Sequence, residues 1–313
     1  MSLENKKVLV TGGAGFIGSH VCDALIALGH SVHAIDDLSG GYQEQVPDGV
    51  TLHKMDIRDA GVEQLWERYH FDTLFHLAAQ MDVRKSVSDP RFDADINIGG
   101  FLNLLEAGRE NGLKKVIFSS TGGAIYGEPD YVPQDEAHVL QPLSPYGITK
   151  LCSEKYLHFY QNTHGLEYIA LRYGNVYGPR QNPHGEAGVV AIFSERMIDG
   201  VQPTINGDGL QTRDYVFVKD VVAANMAALS YTGSGIFNVG TGVETNVVEL
   251  FSHLRDALAP SMPVQHGPGM PGEQKRSVLD YQLTKKMLGW EPTVDVVSGL
   301  QQTAKWFKDR REG

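Results

Sequence analysis

Tyr146 and Lys150, in Tyr146-Gly147-Ile148-Thr149-Lys150, stand four residues apart. On a helix that spacing sets a phenol and an ammonium on one face. A free phenol titrates near ~10, and a fixed cation beside it favours the phenolate. Tyr146 is therefore expected to act as a base near neutrality. Such pairs also occur as plain surface contacts on helices. What gives this one meaning is Phe118-Ser119-Ser120-Thr121-Gly122-Gly123, a hydroxyl-rich strand end upstream. One hydroxyl there would hydrogen-bond an oxygen undergoing oxidation. Thr121 is the first choice and Ser120 the second, because the two glycines leave the register open. The remaining hydroxyls would cap the loop.

Oxidation needs an acceptor, and the N-terminus offers a place for one. Gly12, Gly15 and Gly18, in Thr11-Gly12-Gly13-Ala14-Gly15-Phe16-Ile17-Gly18, have the spacing G-x-x-G-x-x-G between an apolar strand and a helix. That spacing permits a tight turn, brings backbone N–H groups to a pyrophosphate and seats the helix on the sheet. Asp36 follows the second strand within the ~20 residues expected of a ribose-binding acid. It would accept from both ribose hydroxyls and repel a 2′-phosphate, so NAD is expected rather than NADP. Asp56-Ile57 and Leu77-Ala78-Ala79 end the third and fourth strands, where adenine and the middle of the dinucleotide would pass. The small side chains at 78 and 79 permit close approach. Lys150 should reach the nicotinamide ribose. No metal is expected.

These groups need a scaffold whose strand ends meet. Val8-Leu9-Val10, Val32 to Ile35, Thr51 to Met55, Thr73 to Leu77, Val116 to Phe118 and Tyr168 to Arg172 are apolar runs with little polar alternation, as in a parallel sheet covered on both faces. Helical patterns at Gly15 to Leu28, Ala60 to Tyr69, Asn97 to Glu110 and Tyr146 to His164 lie between them. The expected fold is α/β, a doubly wound parallel sheet with a smaller mixed C-terminal domain. After Gly174, glycine and proline become frequent and the alternation breaks down. We place the dinucleotide domain at 1–173, rejoined by about 215–243, and the substrate domain at 174–214 and 244–313.

A net charge of −11 argues against a nucleic-acid surface, since neutralising phosphates takes clustered cations. Lys308-Asp309-Arg310-Arg311 reads as a solvated last helical turn. No apolar run approaches the ~18 residues of a membrane span, and Glu4-Asn5-Lys6-Lys7 is no signal peptide. Two cysteines, Cys22 and Cys152, cannot frame a disulfide scaffold. A cytoplasmic protein is expected.

Taken together, G-x-x-G-x-x-G, Asp36-Asp37-Leu38-Ser39, His76-Leu77-Ala78-Ala79, Asn97, Ser119-Ser120-Thr121, Ile125-Tyr126-Gly127, Y-x-x-x-K and Arg172-Tyr173-Gly174-Asn175-Val176-Tyr177-Gly178-Pro179-Arg180 resemble the extended short-chain dehydrogenase/reductase family. The likeness covers essentially the whole chain and is strongest to the shorter UDP-glucose 4-epimerase-like members. The resemblance implies that Phe16, Ile17, Asp37, Leu38, Ser39, Asn97, Ser119 and Tyr173 join the NAD site. It implies a UDP-sugar substrate oxidised and re-reduced at C4, with Asn175 at the diphosphate or sugar and Gly188, Val189 and Phe193 around uracil and ribose. Arg213 would pair with the diphosphate or, alternatively, with its neighbour Asp214.

Two positions depart from the family pattern. Met270 stands where a phosphate-binding arginine is usual, so Lys275 or Arg276 would have to compensate. Ser277 is small where a bulky side chain excludes N-acetyl groups, so UDP-N-acetylhexosamines should be accepted. Gly123 and Ala124 replace the acid and base of 4,6-dehydratases, and Ala124 replaces the glutamate of decarboxylating relatives. A UDP-glucuronate 4-epimerase is a nearer rival. A non-catalytic NAD-sensing protein would have no use for the Tyr–Lys pair. The helices Asn97 to Glu110 (Ile98, Phe101, Leu102, Leu104, Leu105) and Ser153 to Thr163 (Tyr156, Leu157, Phe159, Tyr160) carry apolar residues beyond one face, which suggests a homodimer through a four-helix contact.

Overall fold

Apolar β-branched runs pair side by side because their residues can be covered from above and below. The computed structural model describes residues 5–184, 188–269 and 274–312. In chain order the strands are β1 (Lys7–Thr11), β2 (Ser31–Asp36), β3 (Thr51–Lys54), β4 (Thr73–His76), β5 (Lys115–Thr121), β6 (Glu167–Tyr173), β7 (Asn175–Tyr177), β8 (Ile205–Asn206), β9 (Thr212–Phe217), β10 (Gly235–Val239), β11 (Glu244–Asn246) and β12 (His266–Gly267). Seven of them make one parallel sheet in the order β3-β2-β1-β4-β5-β6-β10. This is the doubly wound sheet expected. The order reverses between β1 and β4, so a crevice opens beyond the carboxyl ends of those two strands.

The helices are α1 (Phe16–Ala27), α2 (Gly61–Tyr69), α3 (Val83–Ser88), α4 (Pro90–Ala94), α5 (Phe101–Glu110), α6 (Gly122–Ile125), α7 (Pro145–His164), α8 (Val189–Ile198), α9 (Val218–Ser230), α10 (Val247–Leu258), α11 (Gln282–Leu288) and α12 (Val296–Glu312). Strand periodicity divides the core. Leu9 joins Trp66, Phe101, Leu104 and Leu157 under α2, α5 and α7. Val8 and Val10 face the other way, toward Val21 and Leu25 of α1 and Val221 and Ala224 of α9. Thus α9 covers the main sheet and β10 completes it, while β9, just before, pairs with β7 and β11 in a small mixed sheet. Phe193, Phe217, Phe251 and Leu300 form the core of that smaller lobe.

Three details differ from the sequence reading. Asp95–Gly100 is a π-helical turn that runs into α5, rather than the start of an α-helix at Asn97. Residues 83–94 form two short helices, α3 and α4, whose N-caps Asp82 and Asp89 each accept a backbone N–H. Of the apolar residues from which a subunit contact is inferred, Phe101, Leu104, Leu105, Leu157 and Tyr160 are buried inside the chain. They fill the space between α5, α7 and the sheet, which the helical pattern alone could not reveal.

The segment after β7 is stitched to the dinucleotide side. His20 Nε2 lies 2.9 Å from Pro179 O, Arg180 donates to Asp23 at 2.6 Å, and Asn182 donates to Gly40 O at 3.3 Å. Among the described residues no helix is long and apolar enough to cross a membrane.

Candidate active site

Thr11 ends β1 and ties it to β4. Its Oγ1 lies 2.8 Å from His76 Nδ1 and accepts from Leu77 N and Ala78 N, both at 3.2 Å. Gly12 then turns with φ +72°, and a Cβ there would sit 2.9 Å from Ala78 N. A Cβ on Gly18 would sit 2.0 Å from Gly12 O. A side chain at Gly12 would push the loop off the end of β4, and one at Gly18 would push α1 off the loop. Gly15 caps α1 and contributes no side chain to its first turn, so the N–H groups of Phe16 and Ile17 open the helix dipole toward the crevice.

Asp36 ends β2 and closes this loop. Its Oδ2 accepts from Ala14 N at 3.0 Å and its Oδ1 from Leu38 N at 2.9 Å. Burial raises its carboxyl above the usual range, against the pull of those two N–H groups. Leu38 takes a left-handed φ of 61°, and Asp37 holds Ser39 through both its N–H and its hydroxyl. Asp56 accepts from Arg58 at both oxygens, 3.0 and 2.6 Å, and Ile57 is buried against the π-helical turn. Leu77, Ala78 and Ala79 stay half-buried along the crevice. A glycine loop with backbone clearance, an uncapped helix start and one carboxylate at the second strand end fit a dinucleotide without a 2′-phosphate.

Along β5, Ser119 and Thr121 are half-buried and point one way, while Ser120 points the other. The Ser120 hydroxyl donates to Glu154 at 2.6 Å in the interior. Its oxygen is therefore committed to the interior, on the side away from Ser119 and Thr121. Thr121 Oγ1 accepts from Ala124 N at 3.2 Å and so caps α6. Gly123 separates it from Asn175. A Cβ on Gly123 would lie 3.9 Å from Thr121 Oγ1 and 3.6 Å from Asn175 Oδ1.

α7 begins with Ser144 capping Gly147 N and Pro145 in its first turn, the arrangement that best starts a helix. Gly147 seats it on α6, since a Cβ there would be 2.4 Å from Ala124 O. Tyr146 therefore arrives beside the Thr121 loop. Lys150 Nζ donates to Ser119 O at 2.8 Å and lies 5.9 Å from the centre of the Tyr146 ring.

The direction of the phenol's shift differs from the sequence reading. Burial, with Asp93 adding to it, raises the Tyr146 phenol above its ordinary value. Burial also pulls the Lys150 ammonium down to about 8, with Asp93 and Glu154 opposing the fall. Desolvation is the first cause of the rise at the phenol.

Asn97 is buried behind the crevice. It accepts from Gln80 N at 2.9 Å and donates to Gln80 O at 2.9 Å, shaping the loop after β4. Tyr173 is buried at the end of β6, where its hydroxyl accepts from Asn225 at 2.8 Å. Gly188 caps α8, followed by the half-buried Val189; Phe193 is buried in the small lobe. Arg213 donates to Thr212 O at 2.8 Å. Its neighbour Asp214 accepts instead from Thr241, Gly242 and Leu279. Arg276 is held by Glu244 at 2.8 and 2.6 Å, and Lys275 is exposed. Ser277 is buried, with its N–H donating to Thr212 O at 3.2 Å. Met270 lies outside the described residues.

Two supporting carboxylates escaped the sequence reading, Asp93 and Glu154. Asp89-Pro90 marks a helix start that would have placed Asp93. For Glu154 the clue was Arg172, a charge inside the apolar run of β6.

The NAD-dependent epimerase/dehydratase family matches this chain over residues 8–240. The chain is similar to UDP-glucose 4-epimerase of Thermotoga maritima, solved with UDP-glucose, at TM-score 0.95 and 46% identity over 97% of this chain and 99% of that one. It is also similar to UDP-glucose 4-epimerase of Thermus thermophilus, solved with NAD, at TM-score 0.92 and 45% identity over 96% and 99%. A third likeness is to UDP-N-acetylglucosamine 4-epimerase of Methanobrevibacter ruminantium, solved with UDP-N-acetylmuramic acid, at TM-score 0.92 and 37% identity over 98% and 100%.

Proposed function

This chain belongs to the NAD-dependent epimerase/dehydratase family, and from that premise we propose that it inverts C4 of a UDP-hexose, interconverting UDP-glucose and UDP-galactose. The observation that carries this reading is local. Tyr146 and Lys150 share one turn of α7, and that turn sits on the hydroxyl-bearing end of β5 through Gly147 and Ala124. Bound NAD supplies the acceptor and donor of hydride. Tyr146 takes the proton of the sugar 4-hydroxyl and later returns it, with Thr121 holding that oxygen. Lys150 keeps a positive charge near the phenol. Gly12, Gly15, Gly18 and Asp36 would hold the dinucleotide, and Asn175, Arg213 and the start of α8 the UDP moiety. Inversion requires the 4-keto sugar to turn while the nucleotide stays fixed. Gly123 and Ala124 carry no group able to move a proton, so elimination of water has no acid or base on this strand end.

Incubation with UDP-glucose, UDP-N-acetylglucosamine and UDP-glucuronate separately, with products resolved by C4 stereochemistry, tests the reading. Conversion of UDP-glucose to UDP-galactose is expected. Turnover of UDP-glucuronate alone would replace the reading with that of a uronate epimerase. Ser277, being small, leaves room beside the sugar 2-substituent, so kcat/KM for UDP-N-acetylglucosamine is expected within about 10-fold of that for UDP-glucose. The discrimination available from pocket size alone, about 10–200-fold, sets that scale. Strict rejection of the N-acetyl sugar would end the idea.

We further infer a homodimer. With the internal residues removed from the count, the surface of α7 still carries Ile148 (54% exposed) and Phe159 (49%), with Cys152 between them half-buried. Leu102 of α5 is half-buried nearby in sequence pattern. Isologous contacts of this kind are the commonest way for such a stripe to be covered. Sedimentation of the wild-type chain should give the dimer mass, and Ile148→Asp with Phe159→Asp the monomer mass. A wild-type monomer at micromolar concentration would refute it.

A further inference from the structure

Asp93 lies in α4, fully buried, and every group bonded to it is neutral among the described residues. Its Oδ1 accepts from Gln80 Nε2 at 2.9 Å and from Asn97 Nδ2 at 3.1 Å. Its Oδ2 accepts from the Thr149 hydroxyl at 2.9 Å. Thr149 sits on α7 between Tyr146 and Lys150, and Asn97 also donates to Thr149 Oγ1 at 3.3 Å. Ser153, one turn on, donates to Asn97 O at 3.3 Å. The carboxylate thus occupies the joint between the π-helical turn and the part of α7 that carries the reacting pair. A π-helical turn at such a joint lets Asn97 reach both partners.

We propose that Asp93 is a positioning residue of the Tyr146–Lys150 pair, a fixed buried negative charge that anchors α7 through Thr149 and holds the pair's charge balance from beneath. The proposal rests on the epimerase reading for the roles of Tyr146 and Lys150. A carboxylate bonded only by neutral donors keeps its whole field for nearby titratable groups, and in the interior that field is weakly screened. It favours the ammonium of Lys150 and opposes the phenolate of Tyr146. The other groups around α7 do not cancel it. Glu154 of α7, paired with Arg172 of β6, acts on Lys150 in the same direction as Asp93. His76 at the end of β4 is kept neutral by burial. Tyr173 of β6 is raised by burial. Arg84 and Lys85 of α3 and Arg91 of α4 are exposed, and Asp95 of the π-helical turn is bridged to Arg58.

The sign follows directly. Without the charge, both the phenol and the ammonium lose protons more readily, so both limbs of the pH–rate profile move to lower pH. Asp93→Asn retains the shape and an acceptor, and is expected to shift each limb down by about half to one unit. Thr149→Val keeps the charge while removing one anchor, and should lower the unfolding midpoint with the limbs in place. A second readout is independent of turnover: in protein labelled at lysine Cε, the Lys150 resonance, assigned with Lys150→Met, should titrate at lower pH in Asp93→Asn than in the wild type. Asp93→Ser provides the same readout should Asp93→Asn not fold. Unmoved limbs together with an unmoved resonance would overturn the proposal. A shifted resonance in a wild-type protein inactive on every UDP-sugar would uphold the electrostatic role and overturn the epimerase reading.

Discussion

Tyr146→Phe is expected to lower kcat for UDP-glucose by about 10³-fold, in the middle of the range for loss of a positioned acid–base group. KM should change little. The ring stays and only the phenol oxygen goes, so the fit of α7 against α6 through Gly147 is undisturbed. Because burial works against ionising that phenol, removing it relieves no favourable charge interaction. Stability should therefore stay within about 0.5–1 kcal/mol of wild type. NAD binding, followed by calorimetry, should be unaltered, since the glycine loop and Asp36 lie on other elements. Together these results separate an enzyme from an NAD-sensing protein. Turnover at the wild-type rate would remove Tyr146 from the chemistry, and loss of NAD binding would mean that its role is structural.

The raised phenol also says where the sequence was legible and where it was not. Spacing reports which side chains share a helix face, and it correctly set Tyr146 and Lys150 on one turn of α7. It cannot report how much water each retains. Here desolvation raises the phenol and the Asp93 charge adds to it; Asp93 comes from α4, an element that the apolar pattern did not reveal because α4 is one short turn between two aspartates. The parallel strands were plain in the sequence because burial on both faces leaves β-branched runs without alternation, as in β1 and β4. The glycine loop was plain because three glycines carry a steric demand visible at each position. Ser120 and Thr121 were not separable. Strand parity alone distinguishes them, and parity becomes known only once Ser120 is seen to donate to Glu154. The apolar residues on more than one face of α5 and α7 were hard to apportion for a related reason: a helix between a sheet and a second helix is apolar on two faces without any partner.

Glu154 and Arg172 carry the largest expected effect on stability. They are 1% and 2% exposed, and pair through Arg172 Nε to Oε1 at 2.9 Å and Nη2 to Oε2 at 2.7 Å. Arg172 Nη1 also donates to the Tyr126 hydroxyl at 2.9 Å, and Tyr126 in turn donates to Asn238 Oδ1 at 2.7 Å. Asn238 donates to Gln134 O and Asp280 O. The pair thus joins α7, β5, β6 and β10 with the loop before α11. Glu154→Ala leaves a guanidinium buried without its counter-charge and Ser120 without its acceptor. The expected loss is about 3–5 kcal/mol in urea unfolding. The double substitution Glu154→Leu with Arg172→Met removes both charges and should lose less than Glu154→Ala alone, because no isolated ion remains. Catalysis should suffer in the single variant too. Ser120 stands between Ser119, whose carbonyl receives the Lys150 ammonium, and Thr121. A strand end displaced by about 1 Å can cost up to about 10²-fold in kcat. A Glu154→Ala protein with wild-type stability would mean that water or another group satisfies Arg172, and that the strand end owes its position to the backbone ladder with β6 alone.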